Sequence, residues 1–126
     1  MNLAQQEKIV LDALENVKGH DIQIFDTQPL TSLFDRVVVV SGTSSRQTRA
    51  LANEVQRQAR KFGLDIIAIE GEGSGEWVLI DLGDIVVHCM QPAIREYYQL
   101  EDLWGDHPLE LDSIRAAQAP KLTPNT

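Results

Sequence analysis

Apolar residues recur with two different periods along the chain, and the changes of period lay out its elements. Leu3, Val10, Leu14 and Val17 share one stripe at helical spacing, with Glu7, Lys8, Asp12 and Glu15 as polar positions. This predicts a helix over residues 2–18, stopped by Gly19. Ile22, Ile24 and Phe25 mark a short strand over 21–26, and 27–35 reads as a loop. Val37, Val38, Val39 and Val40 predict a strand over 36–41 that is covered on both faces. After the break Gly42-Thr43-Ser44-Ser45 a long helix is expected from Arg46 to Phe62, with a serine as its N-cap and Gly63 as its stop. Leu51, Val55, Ala59 and Phe62 fall on one side of it. Arg46, Arg49, Arg57 and Arg60, joined by Lys61, fall on the other.

Asp65–Glu70 reads as a strand, 71–75 as a glycine-rich turn, and Trp77–Asp81 and Ile85–Met90 as two strands around Leu82-Gly83. Pro92 can open a last helix reaching to about Leu103. The order implies an α/β domain over residues 1–105, with a mixed sheet of about five strands flanked by helices. Residues 106–126 hold three prolines and are expected to form a mobile C-terminal tail.

The hairpin at 77–90 carries the most information. With Leu82 and Gly83 as central turn residues, Asp81 would oppose Asp84, Leu79 would oppose Val86, and Trp77 would oppose His88. Side chains alternate across a sheet. One face then holds Val78, Ile80, Ile85, Val87 and Cys89, all apolar. The other holds Trp77, Leu79, Val86, His88 and Met90, apolar but interrupted by an imidazole. Two readings fit that second face. It is either buried beneath a helix, with His88 hydrogen-bonded inside, or it is a contact face anchored by its tryptophan and methionine.

Composition narrows the choice. The chain has 126 residues, 19 acids against 11 bases and a formal charge of −8, with one cysteine and three histidines. It fits one domain, without an intramolecular disulfide or a multi-cysteine metal site. No apolar run approaches the roughly 20 residues needed to span a bilayer, and the N-terminus lacks a signal-peptide pattern. The expectation is a soluble cytoplasmic domain with no membrane contact. The acidic balance argues against a nonspecific nucleic-acid binder, and no DNA partner is expected. Residues 63–93 contain no Lys or Arg but hold Asp65, Glu70, Glu72, Glu76, Asp81 and Asp84. That stretch suits a basic protein partner. The stripe Arg46, Arg49, Arg57 and Arg60 reads either as a solvated face or as a secondary contact with RNA phosphate or an acidic neighbour, such as a second copy.

Enzyme readings find little support. Gly42-Thr43-Ser44-Ser45 loosely resembles the entry of nucleotidyltransferases, which need paired carboxylates for their metals. Residues 65–70, Asp-Ile-Ile-Ala-Ile-Glu, offer no such pair. Helix capping accounts better for Ser44 or Ser45. The glycine-rich turn lacks a phosphate-loop lysine. Cys89 and His88 are strand neighbours that point to opposite faces, and His20 and His107 have no metal-site spacing. No catalytic residue, metal or cofactor is assigned.

Asp35-Arg36 with the valine strand and Gly42-Thr43-Ser44-Ser45-Arg46, then Glu70-Gly71-Glu72 and the run Trp77 to His88, then Tyr97 to Trp104, together resemble the ribosomal silencing factor (RsfS, Iojap) family. The resemblance runs from about Leu3 to Trp104. It implies a nucleotidyltransferase-like fold without catalytic carboxylates. It also implies a non-enzymatic repressor that binds large-subunit ribosomal protein fourteen and blocks joining of the small subunit when nutrients are scarce. The resemblance further implies that organelle relatives act in ribosome biogenesis and that isolated members are often homodimers. The family's binding surface matches Trp77, Leu82, His88 and Met90 here, with Asp81 and Asp84 nearby. A degenerate nucleotidyltransferase-like enzyme and a homodimeric ribosome-biogenesis scaffold are the alternatives.

Overall fold

Four successive valines have no polar face to turn to solvent, so their strand has to be central and covered twice. A computed structural model, which describes residues 1–117 and Pro120, places it so. The elements are α1 (Leu3–Asn16), β1 (His20–Asp26), β2 (Arg36–Ser41), α2 (Ser45–Phe62), β3 (Ala68–Glu70), β4 (Trp77–Asp81), β5 (Ile85–Met90), α3 (Pro92–Tyr98), α4 (Glu101–Trp104) and α5 (Leu111–Arg115). The five strands form one sheet in the order β1-β2-β5-β4-β3. β2 and β5 are parallel and the other pairs antiparallel, so the sheet is mixed as expected.

The two faces are covered unequally. Val38, Val40, Val78, Ile80, Ile85, Val87 and Cys89 join Val10, Leu14, Leu51, Val55 and Ala59 of α1 and α2 in the main core. The alternate valines, Val37 and Val39, join Phe25 and Met90 in a smaller cluster on the other face, against Phe34, Trp77, Ile94, Leu100 and Trp104. Caps fix the helices. Asn2 and Gln5 form a reciprocal capping box at the start of α1. The Ser44 hydroxyl accepts the Gln47 N–H at 3.1 Å at the start of α2.

Several expected boundaries shift for visible reasons. The strand expected over 65–70 is regular only from Ala68, because β4 ends at the facing Asp81, which Ile67 still reaches through its N–H to Asp81 O at 2.8 Å. The last helix is two pieces. Gln99 takes a left-handed conformation (φ 48°), which turns the chain so that Leu100 and Trp104 reach the sheet. Arg95 ion-pairs with Glu101 across the break. The hairpin register also differs from the expected one. Leu79 opposes His88, Trp77 opposes Met90 and Asp81 opposes Val86. The turn is centred on Gly83-Asp84, since the Leu82 N–H bonds Ile85 O at 2.9 Å and Gly83 takes the left-handed φ of 90°. This is a slip of two in pairing, so both faces keep the side chains expected of them.

The mobile tail expected over 106–126 does not describe its first half. Residues 107–109 lie along the edge of β1, where Asp26 N–H bonds His107 O and Leu109 N–H bonds Ile24 O, each at 2.8 Å. α5 then packs on α1, with Ile114 buried in the main core and Arg115 paired with Glu15 at 2.8 Å. Of the three prolines in that span, Pro108 sits in a bridge with Phe25. Apart from Pro120, residues 118–126 lie outside the described residues. Ile114→Ala should cost about 2 kcal/mol in urea unfolding, the low end for a buried isoleucine. A loss near zero would return α5 to the status of a loose tail.

Candidate functional site

α3 and α4 cover only the β1–β2 half of the second sheet face and its border at Met90. The β4–β5 half stays open. Its residues Leu79, Asp81, Val86 and His88 floor a cavity of about 600 Å³. Phe34, Leu100 and Trp104 wall it, and Leu33, Ile67 and Leu103 stand exposed at its rim. The 27–35 loop supplies Leu33 and Phe34. That loop is closed by Thr27, whose N–H bonds Asp35 O and whose hydroxyl bonds Phe34 O, both at 3.0 Å. Phe34 meets Trp104 edge to face at 5.7 Å between ring centres.

Trp77 lies beside the cavity, with Tyr98 against its ring at 4.9 Å and Tyr97 beyond. Both tyrosines are exposed. The Trp77 indole N–H donates to His88 Nδ1 at 3.0 Å. An imidazole nitrogen that accepts carries no proton, so neutral His88 holds its proton on Nε2. Nε2 makes no hydrogen bond among the described residues. Burial pushes the His88 pKa down from 6.5 to about 4. The ring is therefore neutral at pH 7, with one donor available.

That shift has a sign. The unfolded imidazole takes a proton below 6.5, whereas the folded one does so only near 4. Stability is thus complete above pH 6.5 and falls as the pH drops toward 4. A full shift of this size is worth roughly 3 kcal/mol, reduced to about 2 kcal/mol because solvent still reaches the ring. Among the described residues Asp81 is the only other titratable group lining the cavity. In His88→Phe the stability difference between pH 7 and pH 4.5 should shrink by about 2 kcal/mol. An unchanged difference would show that other groups carry the acid sensitivity.

The structure separates the residues expected in the site. Trp77, His88 and Asp81 lie on the open side of the hairpin. Met90 sits on that side too but is fully buried beneath Trp77 and α3–α4, a support and not a surface. Leu82 is buried with the main core on the opposite side. Asp84 is exposed at the sheet end, where its carboxylate accepts from Gln6 Nε2 at 3.1 Å. Asp81 Oδ1 accepts the Gly83 N–H at 2.8 Å, and Oδ2 makes no hydrogen bond among the described residues. Leu79 and Val86 were visible in the hairpin alternation but carried no polar mark to single them out. Leu33, Phe34 and Trp104 reach the cavity through a loop and a helix break that no periodicity signals.

The basic stripe is largely engaged within the chain. Arg49 donates to the carbonyls of Glu72 and Gly73 at 2.8 and 2.7 Å, tying the glycine-rich turn to α2. Gly71 has φ 88° there, and a side chain would strike Trp77 O. Arg57 pairs with Glu54 at 2.7 Å and with other bonds holds that carboxyl down to about 2. Arg60 reaches Gln56 at 3.4 Å. Arg46 is exposed with no partner among the described residues. The Gly42–Ser45 break is a cap: Thr43 N–H also bonds Gln47 Oε1 at 2.7 Å, and the Ser45 hydroxyl accepts from Gln91 at 3.0 Å. Cys89 is fully buried, which pushes its thiol up to about 12 and leaves it unreactive. Among the described residues no group of three or more His, Cys, Asp or Glu could hold a metal ion, and no helix is long and apolar enough to cross a membrane.

Comparison with known proteins places this arrangement in context. A family model described as "Ribosomal silencing factor during starvation" matches residues 1–126, so it extends past Trp104 through residues 107–109 and α5. The ribosomal silencing factor RsfS of Chromobacterium violaceum is 52% identical over 105 residues, 83% of this chain and 86% of that protein. RsfS of Haemophilus influenzae is 38% identical over 98 residues, 78% of this chain and 96% of the relative. A crystal structure of a Chromobacterium violaceum protein superposes with a TM-score of 0.82 at 47% identity, covering 97% of this chain and 92% of that one.

Proposed function

Because the chain belongs to the ribosomal silencing factor family, we propose that it represses translation by binding the large ribosomal subunit through ribosomal protein fourteen and excluding the small subunit. The observation that carries the proposal is the half-covered sheet face. A cavity floored by Leu79, Val86 and His88 lies among exposed Leu33, Ile67, Leu103, Tyr97 and Tyr98. Contiguous exposed apolar surface of this kind marks a docking site. Trp77 is its aromatic anchor, supported from beneath by Met90. Leu82 and Asp84 act indirectly, by shaping the hairpin end. The acids of residues 63–93 favour a basic protein and repel bare RNA.

The mechanism is occlusion and requires no catalytic group. The bound domain occupies space that the small subunit needs, which suits a cytoplasmic regulator acting when nutrients are scarce. In the free protein a second copy of the chain is the other expected partner. Arg46, exposed and without a partner among the described residues, is the stripe residue left for a minor contact with ribosomal RNA. Co-sedimentation with purified large subunits through a sucrose gradient tests the reading. The folded chain should travel with large subunits and not with small ones. Retention at the top of the gradient would refute it.

A further inference from the structure

Among the described residues that line the cavity, two side-chain donors, His88 Nε2–H and the Trp104 indole N–H, and one charged acceptor make no hydrogen bond. The donor on the hairpin is His88 Nε2–H, left over because Nδ1 accepts from Trp77. The acceptor is Asp81 Oδ2, left over because Oδ1 accepts from Gly83. Asp81 faces Val86, and Leu79 faces His88, so the two polar groups sit diagonally across the hairpin with apolar surface between them. Diagonal neighbours on paired strands are about 7–8 Å apart. Among the described residues no Lys or Arg lines the cavity.

Resting on the docking face proposed above, we propose that this cavity receives a long basic side chain, an arginine or lysine of the protein partner. Its aliphatic stem lies over Leu79 and Val86, its cationic head meets Asp81, and a main-chain carbonyl beside it accepts from His88 Nε2–H. Trp77 is the positioning residue that sets the imidazole tautomer.

Each alternative occupant leaves a cost. A purely aliphatic side chain would desolvate the Asp81 carboxylate and the His88 N–H without replacing their hydrogen bonds. An acidic side chain or a phosphate would meet the Asp81 charge with no cation to offset it. A basic side chain satisfies both ends, and its methylene stem uses the apolar floor between them. Arginine can also stack on the aromatic walls, Phe34 and Trp104.

The test uses the full chain and purified large subunits as the probe. Asp81→Asn keeps an Oδ1 acceptor for Gly83 and removes the charge. It should weaken co-sedimentation at least tenfold and flatten the dependence of association on salt. Trp77→Phe keeps a ring against Tyr98 but removes the indole N–H. The nitrogen resonances of His88 should then shift from a single Nε2–H tautomer to a mixture, together with a several-fold loss of binding. If wild type binds and Asp81→Asn binds equally with the same salt dependence, the basic-side-chain inference is wrong while the docking face stands. If Trp77→Phe leaves the His88 resonances unchanged, Trp77 does not position the imidazole. If wild type itself does not bind, the docking reading fails first.

Discussion

Trp77→Ala should leave the domain folded and weaken its association with large subunits by about 2 kcal/mol or more, roughly thirtyfold. Three losses combine at this position. The first is the half-buried indole surface beside the cavity, the kind of aromatic anchor that dominates interface energetics. The second is the bond to His88 Nδ1 at 3.0 Å, without which the imidazole no longer presents Nε2–H reliably. The third is the packing partner of Tyr98, 4.9 Å away, whose ring then lies against nothing on that side. The cost to folding should be smaller. Met90 loses part of its cover, but the main core on the opposite face of the sheet is untouched. Binding should therefore be measured where the variant is folded, as judged by circular dichroism. Affinity equal to wild type would remove Trp77 from the contact.

Arg36→Ala should cost about 3–5 kcal/mol of stability, the effect of stripping one partner from a buried ion pair. The guanidinium Nε donates to Glu7 at 2.6 Å and Nη1 donates to Asp26 at 2.8 Å. Only 13% of the Arg36 side chain and 9% of the Glu7 side chain remain exposed. One residue at the start of β2 thus ties together α1, β1 and β2. Removing it leaves the Glu7 carboxylate enclosed without a counter-charge, which is costlier than never having buried the pair. Adding Glu7→Gln to Arg36→Ala should recover part of the loss, because a neutral amide is cheaper to bury. Urea unfolding of the two variants checks both statements. A loss below about 1 kcal/mol would mean that the pair behaves as an ordinary surface salt bridge.

Arg36 also illustrates what can and cannot be seen in a linear chain. Asp35-Arg36 stood out as part of a family motif, yet its partners lie 29 and 10 residues away and carry no spacing that would link them. The strands and the two long helices were legible because each has a strong period and a clear stop. The valine run required a doubly covered strand, and the capping serine was correct at Ser44. Face assignment in the hairpin survived a wrong register because the slip was even. An odd slip would have put Val78 and Ile80 on the open side and dissolved the site.

What escaped was tertiary. Met90 alternates onto the same face as His88, but whether it is surface or support depends on where α3 and α4 turn. That turn rests on the left-handed Gln99, a residue type that gives no strong warning. The strap at 107–109 was hidden by proline-rich composition. Its hydrogen bonds to β1 are made on the far edge of the sheet from β3, and edge pairing leaves little pattern in the sequence. Trp104, one residue past the helix end expected at about Leu103, closes α4 and is a wall of the cavity.

The central claim is that the open half of the sheet face docks on the large subunit and keeps the small subunit away. Light scattering of purified large and small subunits, mixed after preincubation of the large subunits with the chain, measures this directly. The account predicts a dose-dependent fall in joined ribosomes with wild type, a much weaker effect with Trp77→Ala, and no effect when the chain is added to small subunits alone before rapid mixing at low concentration. Undiminished joining in the presence of saturating, folded wild-type protein would contradict it.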